Sequence, residues 1–233
     1  MISALIFDFD GLILDTEKSE FVSWQEMYAE HQVQLLLEEW AVCIGAGADT
    51  FDPYTHLETL LRRPIAREEI RQRRLQRRMA MLAEELLLPG VEEYLHTARH
   101  LGLKLGVASS SSRAWVEGHL ERLGILHYFD VIRCRDDVQH AKPDPELYLS
   151  ALADLEVQAE QAIALEDSPN GVRAAQRAGI FCVAIPNVIT SQLPLDHADL
   201  RLTSMAAMPL EDLIALVEQR RATAHSLEAH GES

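Results

Sequence analysis

ISALIFDFDG, at residues 2–11, is an apolar segment rich in β-forming residues that ends abruptly in two aspartates and a glycine. A short apolar run bounded by polar residues is typical of a strand that is buried on both faces of a parallel sheet. Asp8 and Asp10 then lie where the strand passes into a polar loop, and Gly11 permits a tight backbone turn beside them. The segment therefore predicts the first strand of an α/β sheet with two carboxylates at its end.

Four similar apolar runs follow, and the segments between them carry apolar residues at helical spacing. Val91, Tyr94, Leu95, Ala98 and Leu101, for example, follow the i, i+3, i+4 rule of an amphipathic helix. Strands that alternate with helices of this length predict βαβ units, and hence a doubly wound parallel sheet of the α/β class. The predicted strands cover residues 103–109, 129–134, 162–165 and 180–185, with a weaker one at 200–202.

The stretch from 16 to 86 interrupts this alternation, because it contains helical patterns and no convincing strand. Pro89-Gly90 follows it with a turn signal before the next predicted helix. We therefore predict an all-helical insert between the first strand and the rest of the sheet. Its two apolar helical faces are formed by Phe21, Trp24 and Tyr28, and by Leu75, Met79, Leu82 and Leu86.

A second acidic pair, Glu166-Asp167, directly follows the predicted strand 162–165. The carboxyl ends of the strands are the usual ligand site of an open α/β sheet. Mg²⁺ prefers oxygen ligands and often takes one or two carboxylates together with water and phosphate oxygens. Each pair also has a simpler interpretation, namely an acidic loop after a strand or, at Asp167, the start of a helix with Pro169 in its first position. Acidic pairs at two strand ends favour a magnesium site.

Two further features suit a phosphate group. Residues 107–112 form an apolar strand that ends in serines and leads into a helix, where hydroxyl and backbone N–H groups can bind an anion. An ordinary helix cap explains Ser111 or Ser112 but does not explain the hydroxyl of Ser109 at the strand end. Lys142, one of only three lysines, lies next to prolines, so its ammonium could neutralise a phosphoryl group, although most single lysines are solvated surface charges.

Four motifs thus occur in order along the chain: Asp8-Phe9-Asp10-Gly11 followed by Asp15-Thr16-Glu17, then Val107-Ala108-Ser109, Lys142-Pro143-Asp144-Pro145 and Leu165-Glu166-Asp167-Ser168-Pro169-Asn170-Gly171. Together they resemble the haloacid dehalogenase superfamily, in the branch that carries a helical cap after the first motif and includes β-phosphoglucomutases and phosphoglycolate phosphatase-like enzymes. The resemblance extends from residue 2 to about residue 216. It implies a Rossmann-like catalytic core over 1–15 and 87–233, with strand order 3-2-1-4-5, and a cap over 16–86.

The resemblance also implies an activity, the hydrolysis of a small organic phosphomonoester with Mg²⁺ as cofactor. Asp8 is expected to attack phosphorus and form an aspartyl-phosphate, and Asp10 to act first as general acid and then as general base. The expected metal ligands are the Asp8 carboxylate, the Asp10 backbone carbonyl and Asp167, with Glu166 as a supporting group. Ser109, Ser110 and Lys142 are expected to bind the phosphoryl oxygens.

A phosphosugar mutase is the alternative function, because β-phosphoglucomutases share all four motifs. Their cap carries an arginine after a Gly-rich loop and a histidine near the start of the first cap helix. Here the loop Ile44–Asp49 contains no arginine, and Glu20 occupies the place of the histidine. These departures favour a phosphatase. A non-catalytic phosphate-binding regulator is disfavoured, because no member of the catalytic set is missing.

The overall composition narrows the partners. A net charge of −16 disfavours binding to nucleic acid and to anionic membranes, and no apolar run approaches the roughly 18 residues of a membrane span. Three scattered cysteines without paired spacing indicate reduced thiols. These observations predict a cytoplasmic protein, and we expect it to be a monomer; its partner, as the resemblance implies, is a small phosphate ester.

The cap segment contains a run of arginines, of which Arg67, Arg71, Arg74 and Arg78 fall on one helical face. The favoured interpretation is a solvated face that pairs with nearby acids such as Glu68 and Glu69. The alternative is a basic rim for an anionic substrate or partner, and helical spacing alone does not separate the two.

Overall fold

A parallel sheet of six strands forms the centre of the computed structural model, which describes residues 1–40 and 51–231, with the backbone alone from 224 onward. The predicted order 3-2-1-4-5 is confirmed, and the weak sixth run adds a short strand at the edge beyond the fifth. In spatial order the strands are β3 (Val131–Arg133), β2 (Lys104–Ala108), β1 (Ala4–Phe7), β4 (Ala162–Glu166), β5 (Phe181–Ala184) and β6 (Leu200–Arg201).

Helices cover both faces of this sheet because alternate residues of each buried strand point to opposite sides. Leu5 and Phe7 of β1 pack into one apolar cluster, whereas Ala4 and Ile6 pack into the cluster on the other face. These contacts fix β1 at the centre of the core. The helices packed on the sheet are α4 (Val91–His100), α5 (Arg113–Arg122), α6 (Glu146–Leu155), α7 (Pro169–Arg177) and α8 (Leu210–Gly231).

The described part of 16–86 contains helices and no strand, as the sequence predicts. It includes α1 (Thr16–Glu30), α2 (Pro53–Leu61) and α3 (Arg67–Glu84), which share an apolar cluster separate from the two clusters of the sheet. The chain leaves and rejoins the sheet region at adjacent points, because Leu14 and Leu87 form an antiparallel bridge. None of the described helices is long and apolar enough to span a bilayer.

The buried face of α3 differs from the apolar face that its sequence suggests. Leu82 is fully buried, but Leu75 and Met79 are 45% and 43% exposed and Leu86, beyond the helix, is 76% exposed. The side of α3 that faces α1 instead carries Arg74 and Arg78, which form ion pairs with Glu20 of α1. The contact between these helices therefore combines ion pairs with the shared apolar cluster.

Candidate active site

The ends of three neighbouring strands bring the predicted site residues together. β1 lies between β2 and β4 in parallel register, so Asp8, Ser109 and Glu166-Asp167 all lie at one edge of the sheet. Asp8 is 7% exposed and the other three are 0–2% exposed. Such burial is rare for carboxylates unless charged or hydrogen-bonding groups compensate for the lost solvation.

Lys142 supplies part of this compensation. Its Nζ donates hydrogen bonds of 2.6 Å to Oδ1 of Asp8 and to Oε1 of Glu166, and its side chain is only 6% exposed. Burial alone would lower the pKa of Lys142, but Asp8 and Glu166 outweigh it and raise that pKa above its usual value. Lys142 is therefore a buried, charged ammonium, so the interpretation as a solvated surface lysine is wrong.

Glu166 is fixed in position by contacts on both carboxylate oxygens. Tyr148 of α6 donates a buried hydrogen bond of 2.6 Å to Oε1, and Ser168 lies 3.4 Å from Oε2. Gly171 leaves the space that this carboxylate occupies, because a Cβ built there would lie 1.9 Å from Glu166. Ser168 also caps α7 by accepting a hydrogen bond from the backbone N–H of Gly171. The helix start predicted after Asp167 is thus confirmed, and the cap is Ser168.

Asp167 is held by Asn187, whose side-chain amide donates to Oδ2 at 2.9 Å and to the carbonyl of Gly11 at 3.0 Å. Gly11 has a φ of +78°, and a Cβ there would lie 2.3 Å from Oδ2 of Asp167. The tight turn and the close approach both require a glycine. Burial, with the nearby Asp8 and Glu166 carboxylates, raises the pKa of Asp167 well above its usual value.

The carboxylates of Asp8, Glu166 and Asp167 form a group that fits a divalent cation. One oxygen from each lies within 4.8 Å of the others. Burial raises the pKa of Asp8 to about 8, with Glu166 and Asp10 adding to the effect and Lys142 opposing it. A bound cation would relieve this repulsion between buried carboxylates. Since Glu166 is already engaged by Lys142 and Tyr148, Asp8 and Asp167 are the carboxylates best able to bind a metal directly.

The Asp10 side chain points away from this acidic group. Its Oδ2 accepts hydrogen bonds from Ser111 at 2.6 Å and from Ser109 at 3.3 Å, and its Oδ1 accepts one from Nε1 of Trp115 at 3.0 Å. Three donors therefore fix the orientation of this carboxylate in the site. The Asp10 side chain is not part of the group formed by Asp8, Glu166 and Asp167, and a role of its backbone carbonyl as a metal ligand stays a prediction.

The predicted phosphate-binding serines occupy different positions. Ser109 is fully buried, and its hydroxyl contacts Asp10 and accepts from the backbone N–H of Ser111. Ser110 is exposed and lines the cavity above Asp8. The cap of α5 is Ser112, so Ser111 is free to contact Asp10.

A cavity of about 650 Å³ opens above these residues, between the sheet edge and the helices of residues 16–86. Its floor contains Asp8, Asp10, Lys142 and Asp167. The opposite wall is formed mainly by α1 and α3. Described residues of that wall include Glu17, Glu20, Trp24, Trp40, Phe51, Asp52, Arg74 and Arg78.

The arginines of α3 do not form a single basic face. Arg67 pairs with Asp52 and Glu58, and Arg71 pairs with Glu68, as expected for a solvated face. Arg74 and Arg78 instead line the cavity. The interpretation as a solvated, paired face is therefore correct for Arg67 and Arg71, whereas the basic rim for an anionic substrate or partner stays a hypothesis, since Arg74 and Arg78 are paired with Glu20. The Gly-rich loop predicted at Ile44–Asp49 lies outside the described residues.

Four residues that position the site were not identified as such from the sequence: Ser111, Trp115, Tyr148 and Asn187. Asn187 follows β5 in the segment Ile185-Pro186-Asn187, whose sequence does not by itself indicate a role for this amide. Trp115 and Tyr148 have the helical spacing of ordinary core residues. No local pattern distinguishes an aromatic residue that donates to a catalytic carboxylate from one that only packs.

The chain has clear relatives among known proteins. The sequence profile of the family described as "Haloacid dehalogenase-like hydrolase" matches residues 5–185. A protein of Bacillus subtilis named "Putative phosphatase YhcW" is 47% identical over 214 residues, which cover 92% of this chain and 97% of the relative. The "Beta-phosphoglucomutase" of the same organism is 30% identical over 234 residues, covering 94% of this chain and 96% of the relative.

A solved structure supports the same relationship. The crystal structure of CbbY from Rhodobacter sphaeroides in complex with phosphate superposes with a TM-score of 0.67 at 32% identity. The match covers 88% of this chain and 96% of that chain. The similarity therefore includes both the sheet and the helical segment.

Proposed function

This chain belongs to the haloacid dehalogenase-like hydrolases and is a phosphoric monoester hydrolase, and from that premise we propose that it is a Mg²⁺-dependent phosphatase that acts through an aspartyl-phosphate on Asp8. The observation that carries the proposal is the position of Asp8. Its carboxylate lies at the floor of the cavity, 2.6 Å from the ammonium of Lys142 and beside the buried pair Glu166-Asp167.

In the first step Asp8 attacks the phosphorus atom of the ester. A bond forms between an Asp8 oxygen and phosphorus, and the bond from phosphorus to the substrate alcohol oxygen breaks. Asp10 gives its proton to that leaving oxygen, so the product departs as a neutral alcohol.

The hydrogen bonds around Asp10 are compatible with its protonated form. A hydroxyl can either donate or accept a hydrogen bond, whereas an indole N–H can only donate. Ser111 therefore stays paired when Oδ2 of Asp10 carries the proton, and Trp115 remains bound to Oδ1.

In the second step water releases the phosphate. Asp10, now ionised, takes a proton from a water molecule, whose oxygen attacks phosphorus. The bond from phosphorus to Asp8 then breaks, which yields inorganic phosphate and restores the Asp8 carboxylate and the protonated Asp10. Ser111 and Trp115 hold the Asp10 carboxyl group in one orientation through both proton transfers.

We propose that Mg²⁺ is held by the Asp8 and Asp167 carboxylates and the backbone carbonyl of Asp10, with Glu166 in support. When bound, the cation supplies the positive field that lets an anionic carboxylate approach an anionic phosphate. Lys142, which donates a hydrogen bond to Asp8, is placed to neutralise phosphoryl oxygens. Ser110 offers a second contact, and Ser109 would turn its hydroxyl from Asp10 toward the phosphoryl group.

The same reasoning supports two domains, a core of residues 1–15 and 87–233 and a cap of 16–86. Motion about the chain segments near Asp15-Thr16 and Leu87-Leu88 would open and close the cavity and so control access of water. The bridge between Leu14 and Leu87 brings the two segments side by side, which supports a shared hinge. A cytoplasmic monomer remains our proposal for the assembly; the buried, free thiols of Cys134 and Cys182 are consistent with a reducing compartment.

Hydrolysis is favoured over phosphosugar mutation. The phosphatase-named relative is 47% identical, against 30% for the mutase-named relative. Glu20, where the mutase pattern has a histidine, is engaged with Arg74 and Arg78. A mutase would convert β-glucose 1-phosphate to glucose 6-phosphate without net release of phosphate.

The test is a panel of phosphomonoesters with Mg²⁺, in which released inorganic phosphate is measured for the wild type, Asp8→Asn and Asp212→Asn. Asp212 is exposed in the first turn of α8, so its variant is a matched control for the same chemical change. We expect Asp8→Asn to lose turnover and the control to retain it. Mass spectrometry of Asp10→Asn during turnover should detect a phosphorylated peptide that contains Asp8. Turnover by Asp8→Asn at the wild-type rate would refute the proposal.

A further inference from the structure

Glu20 of α1 joins two arginines that face the substrate cavity. Its Oε1 accepts a hydrogen bond of 2.6 Å from Arg74, and its Oε2 lies 2.8 Å from Nε of Arg78. All three side chains line the cavity and are only 14–22% exposed. One carboxylate thus neutralises part of the charge of two guanidinium groups in a partly buried setting, where such interactions are screened less than in water.

Both arginines are also fixed by aromatic rings. The guanidinium of Arg74 lies 4.9 Å from the ring centre of Trp24, and that of Arg78 lies 4.7 Å from the ring centre of Trp115. Trp115 in turn donates to the general acid-base candidate Asp10. Arg74 and Arg78 are therefore positioned groups of the cavity wall, and their guanidinium charge is already paired.

The far end of the cavity is formally uncharged as a result. Glu20 pairs with both Arg74 and Arg78, and Glu17 also lines the cavity, so the formal charges of these four described residues cancel when Glu17 is ionised. Asp52, which also lines the cavity, is paired with Arg67. The sequence of residues 41–50 contains no lysine, arginine or histidine, so that segment cannot add a cation.

We propose that Glu20 is a specificity-determining residue that selects phosphomonoesters with a neutral, hydroxyl-rich far end, such as a sugar or polyol monophosphate, over esters with a second anionic group. The proposal rests on the proposed phosphatase function and adds the class of substrate. It does not follow from the arginine content of α3, which taken alone would favour a doubly anionic substrate.

The chemistry of the wall explains the selection. Substrate hydroxyls can donate to carboxylates and accept from guanidinium groups, and both kinds of partner are present. Trp24, Trp40 and Phe51 provide apolar surface for the C–H faces of a sugar. A second phosphate would meet the Glu20 carboxylate beside each arginine, and it would lose hydration without gaining an unpaired cation.

The test compares esters that differ only by a second phosphate: fructose 1-phosphate with fructose 1,6-bisphosphate, and glucose 1-phosphate with glucose 1,6-bisphosphate. We expect the wild type to have a kcat/KM at least about tenfold higher for the better monophosphate than for its bisphosphate. Glu20→Gln should shift that ratio toward the bisphosphate by about tenfold, the size expected from removing one unit charge from a partly buried site. Glu20→Asp, which keeps the charge, should retain the monophosphate preference.

Glu30→Gln is the matched control, because Glu30 also joins two arginines of α3, Arg73 and Arg77, but lies outside the cavity. It should leave the ratio unchanged. The inference would be overturned if the wild-type enzyme prefers the bisphosphates, or if Glu20→Gln and Glu30→Gln shift the kcat/KM ratio equally. If Glu20→Gln does not fold, the kcat/KM ratio of the wild type still decides the question.

Binding to Asp8→Asn, measured by calorimetry with Mg²⁺, separates this inference from the proposed function. Tighter binding of a monophosphate than of its bisphosphate supports the role of Glu20 even if Asp8 is not the nucleophile. If both monophosphates bind no more tightly than their bisphosphates, the role of Glu20 is overturned even if phosphatase activity is confirmed.

Discussion

The indole Nε1 of Trp115 donates a 3.0 Å hydrogen bond to Oδ1 of Asp10. This contact links α5 to the proposed general acid-base, and the opposite side of the catalytic site has a similar link, the 2.6 Å hydrogen bond from Tyr148 to Glu166. Aromatic side chains anchored in the core therefore orient polar groups that must hold their position during proton and phosphoryl transfer.

Trp115→Phe should lower kcat by about tenfold to a hundredfold with a smaller effect on KM, because a hydrogen bond to a charged group contributes about 1.5–3 kcal/mol. Phenylalanine preserves a ring beneath Arg78 while removing the donor to Asp10. Steady-state kinetics with a good substrate and a thermal-unfolding control measure the effect. An unchanged kcat in a folded variant would show that Trp115 has no positioning role.

Removal of the metal should abolish activity. We expect negligible turnover in chelator, recovery with Mg²⁺ and inhibition by Ca²⁺, because Ca²⁺ accepts longer and looser coordination that lets Asp8 move out of line for attack. Calorimetry should show that Asp167→Ala weakens Mg²⁺ binding, whereas Asp10→Ala retains binding but loses turnover. Full activity in chelator, or a large loss of Mg²⁺ affinity in folded Asp10→Ala, would contradict the assigned ligand set.

Gly171→Ala should destabilise the protein by about 2 kcal/mol or more, because its Cβ would overlap the buried Glu166 carboxylate and disturb a paired charge. Activity should fall as well, since Glu166 shares Lys142 with Asp8. Gly118→Ala is the control: Gly118 is exposed on α5 with no atom near its added Cβ, and we expect a gain of about 0.5–1 kcal/mol. Chemical denaturation measures both variants; equal effects would refute the packing argument.

Glu17 should make stability depend on pH. Burial, followed by the nearby Asp10 and Glu20 carboxylates, raises the pKa of Glu17 from 4.5 to about 7. A carboxyl group whose pKa is raised in the folded state contributes fully to the free energy of unfolding at pH values below its unfolded-state pKa. That contribution is lost as the pH rises from about 4.5 to about 7. Glu17→Gln should therefore be more stable than wild type by about 2 kcal/mol at pH 8 and nearly equal at pH 4.

Denaturation curves at the two pH values test this sign. A Glu17→Gln variant that is less stable than the wild type at pH 8, or a difference that does not change with pH, would show that Glu17 is stabilised as a carboxylate in the folded protein.

Much of the fold followed from the sequence because its signals are local. The apolar run at 2–9 specified a buried strand, and the alternation of strands and helices specified a parallel sheet. The carboxyl ends of parallel strands lie at the same edge of the sheet, so the sequence alone predicts that Asp8 and Asp167 lie near each other. The confirmed order of the sheet places β1 between β2 and β4.

The sequence by itself thus determined the fold class and the carboxylates at the strand ends. Only the tertiary structure decided which groups hold those carboxylates. Trp115 donates a hydrogen bond to Asp10, 105 residues away in the sequence, and Lys142 donates one to Asp8, 134 residues away. The tertiary structure also decided where the arginines of α3 lie: they share one helical spacing, but some are exposed to solvent and others line the cavity. Spacing fixes which side chains share a face of a helix, but only packing against α1 fixes what that face meets.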